Sequence, residues 1–186
     1  DPAGDVMERD QIVDGRQFPP LAQCLVAGML CNDSRLVSKN GRWVVEGDPT
    51  EGALIVSGLK SGFSESDLAQ ELPRKDVLPF ESDRQYMATL HTADGQGVIY
   101  AKGAVEVILP KCDRMLSRTG DPVPLKAELL SSEAEKMAAK GLRVLAFAKK
   151  EVDAETASLD HGSVASDMIF IGLQAMIDPP RKEAVE

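Results

Sequence analysis

The chain has 186 residues, of which 43% are hydrophobic, 27% charged and 4% aromatic, which predicts one soluble domain with a sizeable core and excludes a disordered polymer. The formal charge of −9 argues against a general binder of nucleic acids or anionic membranes. The longest apolar run, Met168–Ile177, is far shorter than the roughly 20 residues that cross a bilayer, so this chain is expected to make no direct membrane contact.

The two ends of the sequence and its cysteines indicate whether the chain is part of a longer protein and which redox compartment it occupies. It does not begin with Met, no basic or apolar leader follows, and the sequence of residues 181–186 matches a helix start with no helix after it. These features predict a piece of a longer protein. Cys24, Cys31 and Cys112 form no Cys-x-x-Cys pair, and only two histidines could join them as ligands. Buried reduced thiols in a cytosolic compartment are therefore expected, rather than a zinc site or a disulfide framework.

Helical signals come first along the chain. Apolar residues at helical spacing after a Pro-Pro pair predict a helix over residues 20–31. After an Asn-Gly turn, residues 42–46 are predicted to form a strand. Asp48-Pro49-Thr50-Glu51 matches a helix start, with Asp48 as the N-cap and the Glu51 carboxylate reaching back to the cap amide in a capping box. This helix is predicted to end at Leu59 or Lys60, and a short helix over 64–71 to follow.

Extended segments dominate the rest of the chain. Strands are predicted over 75–80, 84–92 and 98–102, with the last two joined as a hairpin across residues 94–97. A short helix is predicted over 104–109, and a longer one, capped by Ser131 or Ser132, through Lys140. Two further strands are expected over 142–151 and 168–177, separated by a surface loop. Because hairpins and helices do not alternate as βαβ units, the pattern indicates an α+β fold with a single antiparallel β-sheet flanked by helices.

The residues that carry chemistry lie on separate short segments, and none of the common phosphate-loop, hydrolase or dinucleotide motifs is present. Phe80 lies at a strand end, where its ring can face solvent or join the core. Lys102 precedes Gly103, where backbone and ligand can approach closely, although a solvated edge lysine fits as well. Arg143 can reach a phosphate or a buried carboxylate, and Glu51 offers an acceptor carboxylate.

Six short segments carry a more specific signal, and they span nearly the whole chain in this order: Leu30-Cys31-Asn32-Asp33-Ser34, Gly47-Asp48-Pro49-Thr50-Glu51-Gly52-Ala53-Leu54, Phe80-Glu81-Ser82-Asp83-Arg84, Lys102-Gly103-Ala104-Val105-Glu106, Gly141-Leu142-Arg143-Val144-Leu145-Ala146 and Asp178-Pro179-Pro180-Arg181. In these segments the chain resembles the nucleotide-binding domain of cation-transporting P-type ATPases, in the calcium-pump-like subgroup. The resemblance implies that domain's α+β fold over residues 1–177, with its first strand truncated. It also implies that residues 178–186, through Asp178, Pro179, Pro180 and Arg181, form a hinge that returns to an absent phosphorylation domain.

The resemblance also implies roles for individual residues. Phe80 would stack on adenine, Glu51 would face the amino edge of the base, Lys102 would lie at the inner end of the pocket and Arg143 would reach towards the phosphates. The expected nucleotide-binding set is completed by Ser82, Arg84, Met87 and Gly103. No catalytic residue and no metal ligand is implied in this chain. Arg84 is expected to pair with an acidic neighbour.

Position 85 departs from the family's pattern. The family has a second basic residue there, and this chain has Gln85. Weaker attraction for phosphate is therefore expected at that point.

The function implied by the resemblance is that of an ATP-binding cytoplasmic domain of an integral membrane pump. ATP is the expected ligand, accompanied by Mg²⁺ in the full-length pump, and the phosphorylation and actuator domains are the expected partners. The domain would present the γ-phosphate to an aspartate on the phosphorylation domain, and alone it would bind nucleotide without turnover. Calcium is the expected cation, while pumps for magnesium, sodium or protons are alternatives. A further alternative is a non-catalytic interaction module of the same fold, which Gln85 favours.

Overall fold

The computed structural model describes residues 2–93 and 95–177. Its strands are β1 (Val6–Glu8), β2 (Gln11–Val13), β3 (Arg35–Lys39), β4 (Arg42–Glu46), β5 (Arg74–Glu81), β6 (Tyr86–Ala93), β7 (Gln96–Gly103), β8 (Cys112–Leu116), β9 (Pro122–Pro124), β10 (Leu142–Asp153) and β11 (Met168–Ile177). Its helices are α1 (Pro19–Leu30), α2 (Pro49–Lys60), α3 (Glu65–Glu71), α4 (Val105–Ile108) and α5 (Ala127–Ala138), with single 3-10 turns at Gly15–Gln17 and Leu109–Lys111.

A seven-stranded sheet with the order β5-β6-β7-β10-β11-β8-β9 forms the centre of the fold. Every neighbouring pair in it is antiparallel except β11 and β8, which run parallel. Two hairpins, β1-β2 and β3-β4, form separate two-stranded sheets. The predicted α+β fold, with an antiparallel sheet flanked by helices, is confirmed, and the parallel pair and the two small sheets are additions to it.

The two faces of the central sheet bury two different clusters, because successive side chains of a strand point to opposite faces. On one face, α1 and α2 pack Ala27 and Leu54 against Met87 and Phe147. On the other face, α4 and the loop after β10 cover a cluster that contains Ala88, Leu90, Ile99, Ile108 and Val164. A fully buried side chain of the size of Leu54 or Phe147 contributes about 1.5–3 kcal/mol to folding.

The three cysteines are buried, as predicted. Burial raises the pKa of the Cys24 and Cys112 thiols to about 12. Both thiols are therefore protonated and poorly nucleophilic at neutral pH.

The start of α2 confirms one part of its prediction and corrects another. Asp48 caps the helix, since its Oδ1 accepts hydrogen bonds from the amides of Thr50 at 2.8 Å and Glu51 at 3.2 Å. The predicted capping box is wrong, because the Asp48 amide donates instead to the Ser34 hydroxyl at 2.8 Å. The Glu51 carboxylate points elsewhere, towards Lys102.

Two other boundaries differ from the predictions. β6 begins at Tyr86 rather than at 84, because Arg84 and Gln85 close a tight turn onto the Glu81 carbonyl, with a φ of +56° at Gln85. α5 begins at Ala127, four residues before the predicted cap at Ser131, and no side chain caps it. Helix-favouring residues at 127–130 extend the helix backwards without a cap.

Some predictions fall on residues that the structure does not describe. The expected hinge residues Asp178, Pro179, Pro180 and Arg181 lie outside the described ranges, as do the rest of 178–186 and Asp94. None of the five helices in the described ranges is both long and apolar enough to cross a membrane.

Candidate functional site

One edge of the central sheet gathers residues that are far apart in sequence. Because β5 and β7 end where β6 and β10 begin, antiparallel pairing brings these strand ends together. Lys102 pairs with Met87 on one side and with Phe147 on the other, so the three side chains share the face covered by α1 and α2. A pocket of about 320 Å³ lies between this edge and the start of α2, lined by Asp33, Asp48, Thr50, Glu51, Pro79, Phe80, Met87, Lys102, Gly103, Arg143 and Leu145.

Most of the sequence-predicted site residues line this pocket: Glu51, Phe80, Met87, Lys102, Gly103 and Arg143. Ser82 and Arg84 do not line it, since both lie in the exposed turn between β5 and β6. Arg84 Nε donates a hydrogen bond to Glu81 Oε2 at 2.9 Å, so its predicted pairing with an acidic neighbour is confirmed.

Phe80 presents its ring at the surface beside Pro79. The residue is 58% exposed, so the alternative of a core phenylalanine is wrong. An exposed ring on a pocket wall can stack against a planar ligand without any prior rearrangement of the core.

Lys102 is withdrawn from water rather than solvated. It is 5% exposed, and its Nζ contacts Glu51 Oε1 at 2.5 Å. Glu51 Oε2 accepts further hydrogen bonds from Ser34 Oγ at 2.9 Å and from the Asp33 amide at 3.2 Å. The alternative of an ordinary solvated edge lysine is therefore wrong.

These contacts determine the charge state of Glu51. Burial alone would raise the pKa of its carboxyl group, but the Lys102 ammonium and the Ser34 and Asp33 donors outweigh burial and hold the pKa below its usual value. At neutral pH the inner end of the pocket therefore holds an ionised carboxylate against an ammonium.

The outer end of the pocket carries the second cation. Arg143 is exposed, and its Nη1 donates a hydrogen bond to Thr50 Oγ1 at 3.1 Å. Three carboxylates, of Asp33, Asp48 and Glu51, face two cations in the pocket lining. Arg74 compensates one of them, since its Nη1 and Nη2 contact Asp33 Oδ1 at 2.7 and 2.8 Å. Arg143 is thus the lining cation that lies at the exposed end of the pocket, where an anionic group could approach it.

Gly103 is explained by packing within the protein. A Cβ atom at this position would lie 2.4 Å from the Gln85 carbonyl oxygen and 2.7 Å from Tyr86 Cβ. Glycine therefore allows the end of β7 to pass the turn before β6, which positions Lys102 beside Met87.

The residues that hold Glu51 in place were not predicted from the sequence. Asn32 Nδ2 donates to the carbonyls of Gly28 at 3.0 Å and Glu51 at 2.9 Å, and Asn32 Oδ1 accepts from the Ser34 amide at 2.9 Å. The available signal was the Asn-Asp-Ser triplet after α1, which belongs to the first of the six segments that carry the resemblance but was given no role at the site. Thr50 was likewise seen only as part of the helix start, although it lines the pocket.

A second pocket of about 360 Å³ adjoins the first through Thr50 and Arg143. It is mostly apolar and contains Trp43, which is 48% exposed. Trp43 thus offers an exposed aromatic ring outside the pocket that contains Phe80.

Comparison with known proteins identifies the family. The family described as P-type ATPase, cytoplasmic domain N, matches residues 20–183. The chain belongs to this family, as its resemblance implied.

Its relatives are named as transporters. The cation-transporting ATPase pma1 of Synechocystis is 53% identical over 175 residues, which cover 94% of this chain and 19% of that protein. The calcium-transporting ATPase 1 of Lactococcus lactis is 38% identical over 160 residues, 85% of this chain and 18% of the relative. The calcium-transporting ATPase of Bacillus subtilis is 30% identical over 187 residues, which cover 98% of this chain and 21% of that protein. The chain spans about a fifth of the length of these curated relatives.

Proposed function

We propose that this chain binds ATP in the pocket between Phe80 and Lys102. The adenine ring stacks on Phe80, its amino edge faces the Glu51 carboxylate, and the phosphates extend towards Arg143. The observation that carries the proposal is the presence, in one pocket, of an aromatic ring 58% exposed and a lysine only 5% exposed. A volume of about 320 Å³ lies within the range of small-molecule sites.

The charge distribution supports this orientation of the nucleotide. Lys102 is already compensated by Glu51, so the inner end attracts a neutral, hydrogen-bonding base better than a polyanion. Arg143 lies at the exposed end, where a triphosphate keeps most of its hydration. The base therefore occupies the inner end and the phosphates the outer end.

Binding in this pocket is weak. A stacked base contributes about 1–3 kcal/mol, and a charge-assisted hydrogen bond about 1.5–3 kcal/mol. Association itself costs several kcal/mol, and a net −4.1 kcal/mol corresponds to ~1 mM. With a chain charge of −9 opposing the triphosphate, we expect a salt-sensitive dissociation constant near the millimolar range.

In the longer parent protein, this domain presents the ATP γ-phosphate to an aspartate on a separate phosphorylation domain. The chain acts by positioning and electrostatics, without a side chain that serves as acid or base, and alone it binds nucleotide without turnover. Mg²⁺ arrives with the nucleotide in the full-length pump. The phosphorylation and actuator domains are the partners, and residues 178–186 are the hinge to the first of them.

The parent is proposed to be a cation pump of the membrane, with Ca²⁺ as the transported ion. Support comes from the relatives of Lactococcus lactis and Bacillus subtilis that are named calcium-transporting. Pumps for magnesium, sodium or protons are the alternatives.

A chemical-shift titration of the 186-residue chain with ATP, AMP and adenosine tests the nucleotide proposal. We expect all three ligands to shift the resonances of Glu51, Phe80 and Lys102, and only the phosphorylated ligands to shift those around Arg143. Absence of clustered shifts at millimolar ATP contradicts the proposal and favours the non-catalytic interaction module.

A further inference from the structure

Ser34 contacts the base-facing carboxylate of the proposed site without lining the pocket itself. We infer that Ser34 is a positioning residue, which sets the direction of the Glu51 carboxylate and thereby the preference of the pocket for a base with an exocyclic amino group. This inference rests on the proposed nucleotide site and assigns its base selectivity to a residue outside the pocket lining.

The Ser34 hydroxyl lies where a capping box would otherwise close. Asp48 is the N-cap of α2 and Glu51 lies three residues later, so the Glu51 carboxylate could accept the Asp48 amide directly. Instead, Ser34 Oγ accepts that amide at 2.8 Å and donates to Glu51 Oε2 at 2.9 Å. The interposed hydroxyl displaces the carboxylate from the helix start towards Lys102 and the pocket.

The single proton of the Ser34 hydroxyl has two acceptors within reach. The Asp48 carbonyl is 3.3 Å away and neutral, whereas Glu51 Oε2 is nearer and charged. Hydrogen bonds to ionised acceptors are shorter and stronger than neutral ones, so the proton goes to Glu51.

The Ser34 side chain is itself fixed in place. Its backbone amide donates to Asn32 Oδ1 at 2.9 Å. A Cβ atom on Gly47 would lie only 2.3 Å from Ser34 Oγ, which shows how closely the chain before α2 approaches the hydroxyl. Ser34 therefore holds Glu51 from a rigid position.

The acceptor positions of the Glu51 carboxylate explain why the pocket would prefer a base with an amino group. An ionised carboxylate offers about four acceptor positions, and Lys102 Nζ, Ser34 Oγ and the Asp33 amide occupy three of them. The remaining position accepts one donor, such as the amino group of adenine. A base with a carbonyl oxygen there, such as hypoxanthine, meets acceptor with acceptor and is disfavoured.

The test compares adenosine with inosine, which differ at this group. The ratio of their dissociation constants is measured by chemical-shift titration for the wild-type chain and for Ser34→Ala. In Ser34→Ala the Glu51 carboxylate can close the capping box on the Asp48 amide, so we expect the preference for adenosine to fall about tenfold while the fold is retained. A ratio that stays unchanged, whether or not both ligands bind more weakly, overturns the inference.

A matched control, Ser57, lies on α2, the helix that carries Glu51. The Ser57 hydroxyl donates to the Leu54 carbonyl at 2.8 Å and is 3.1 Å from Gln174 Oε1, away from the pocket. Ser57→Ala therefore removes one part-buried hydroxyl from α2 and should leave the ratio unchanged. In a Glu51→Gln background, Ser34→Ala should have no further effect on the ratio, because both variants act through one carboxylate.

A readout without ligand separates this inference from the proposed function. In Ser34→Ala the carboxylate loses the Ser34 donor and turns away from the Lys102 ammonium towards the Asp48 amide, so the pKa of the Glu51 carboxyl group, measured by ¹³C NMR, should rise, whereas Ser57→Ala should leave that pKa in place. An unmoved pKa in Ser34→Ala overturns the positioning role even if nucleotides bind. If the wild-type chain binds neither nucleoside, the proposed function fails, and a raised pKa still supports the positioning role. Ser34→Cys, with its weaker donor, gives the same readouts if Ser34→Ala does not fold.

Discussion

The Lys102 ammonium and the Glu51 carboxylate form an ion pair at 2.5 Å, with side chains only 7% and 15% exposed. The two residues are 51 positions apart, so the pair ties the end of β7 to the first turn of α2. It is thus a structural link between sheet and helix as well as the inner wall of the pocket.

Removing one partner of this pair is predicted to destabilise the fold. Lys102→Ala leaves the Glu51 carboxylate buried with only the Ser34 and Asp33 donors, and breaking a buried ion pair from one side costs about 3–5 kcal/mol. Because two donors remain, we expect a loss near the lower end, about 3 kcal/mol in the free energy of unfolding. Urea denaturation at pH 7 measures it.

An exposed ion pair supplies the control for Lys102. Lys136 Nζ contacts Glu133 Oε1 at 2.7 Å on the surface of α5, and exposed pairs contribute about 0–1 kcal/mol. Lys136→Ala should therefore change the stability little. Equal losses in the two variants would mean that the Glu51 carboxylate regains water when Lys102 is truncated.

Local chemistry is what the sequence reveals best in this chain. The start of α2 was predicted because Asp48 and Pro49 act within one turn. The place of Phe80 at a strand end allowed the exposed ring that the structure shows, and Arg84 was predicted to pair with an acidic neighbour. Each of these features depends on residues only a few positions apart.

Long-range packing explains what the sequence did not reveal. Nothing near Lys102 in sequence indicates its burial, which is caused by the first turn of α2 lying over the end of β7. Ser34 was missed because its role depends on meeting Asp48 and Glu51 after the β3-β4 hairpin has folded back. The short strand β8 is connected to the centre of the sheet through its parallel pairing with β11.

Phe80→Ala is predicted to weaken adenosine and ATP equally. Both ligands lose the stacked ring, which contributes about 1–3 kcal/mol, so both dissociation constants should rise about fivefold or more. The melting temperature should stay nearly unchanged, because the ring is mostly exposed. Isothermal titration or chemical-shift titration with both ligands measures the effect.

Trp43→Ala is the matched control for that variant. Trp43 is similarly exposed, but it lines the neighbouring apolar pocket. Trp43→Ala should leave the affinities for adenosine and ATP unchanged. A loss confined to ATP in Phe80→Ala, or a comparable loss in Trp43→Ala, would argue against a stack on Phe80.

Arg143→Ala is predicted to weaken the binding of ATP but not the binding of adenosine. If the guanidinium contacts phosphate, ATP binding should weaken about tenfold while adenosine binding is unchanged, as expected for the loss of one charge-assisted hydrogen bond. Arg114, whose Nε contacts Asp113 Oδ1 at 3.3 Å, provides a surface arginine as control. Equal weakening of ATP and adenosine would instead indicate that Arg143 orders the pocket through Thr50.

His91 predicts a pH dependence of stability. The residue is buried, and its Nδ1 donates a hydrogen bond to the Leu72 carbonyl at 2.8 Å, because a carbonyl can only accept. Burial lowers the pKa of His91 below its ordinary 6.5, with a further lowering from Arg74 and an opposing effect of the Leu72 bond. Below pH 6.5 the unfolded chain therefore binds a proton that the folded chain does not.

This difference makes the folded state less stable as the pH falls from 6.5 towards the lowered pKa. The slope approaches about 1.4 kcal/mol per pH unit for one proton, so we expect a loss of about 1 kcal/mol between pH 7.0 and 5.5 in urea denaturation. His91→Asn keeps a donor for the Leu72 carbonyl and removes the titration, so it should flatten the profile. His161 is the only other histidine, and His161→Asn serves as the comparison variant for the loss of an imidazole. A slope that survives in His91→Asn would assign the proton to another group.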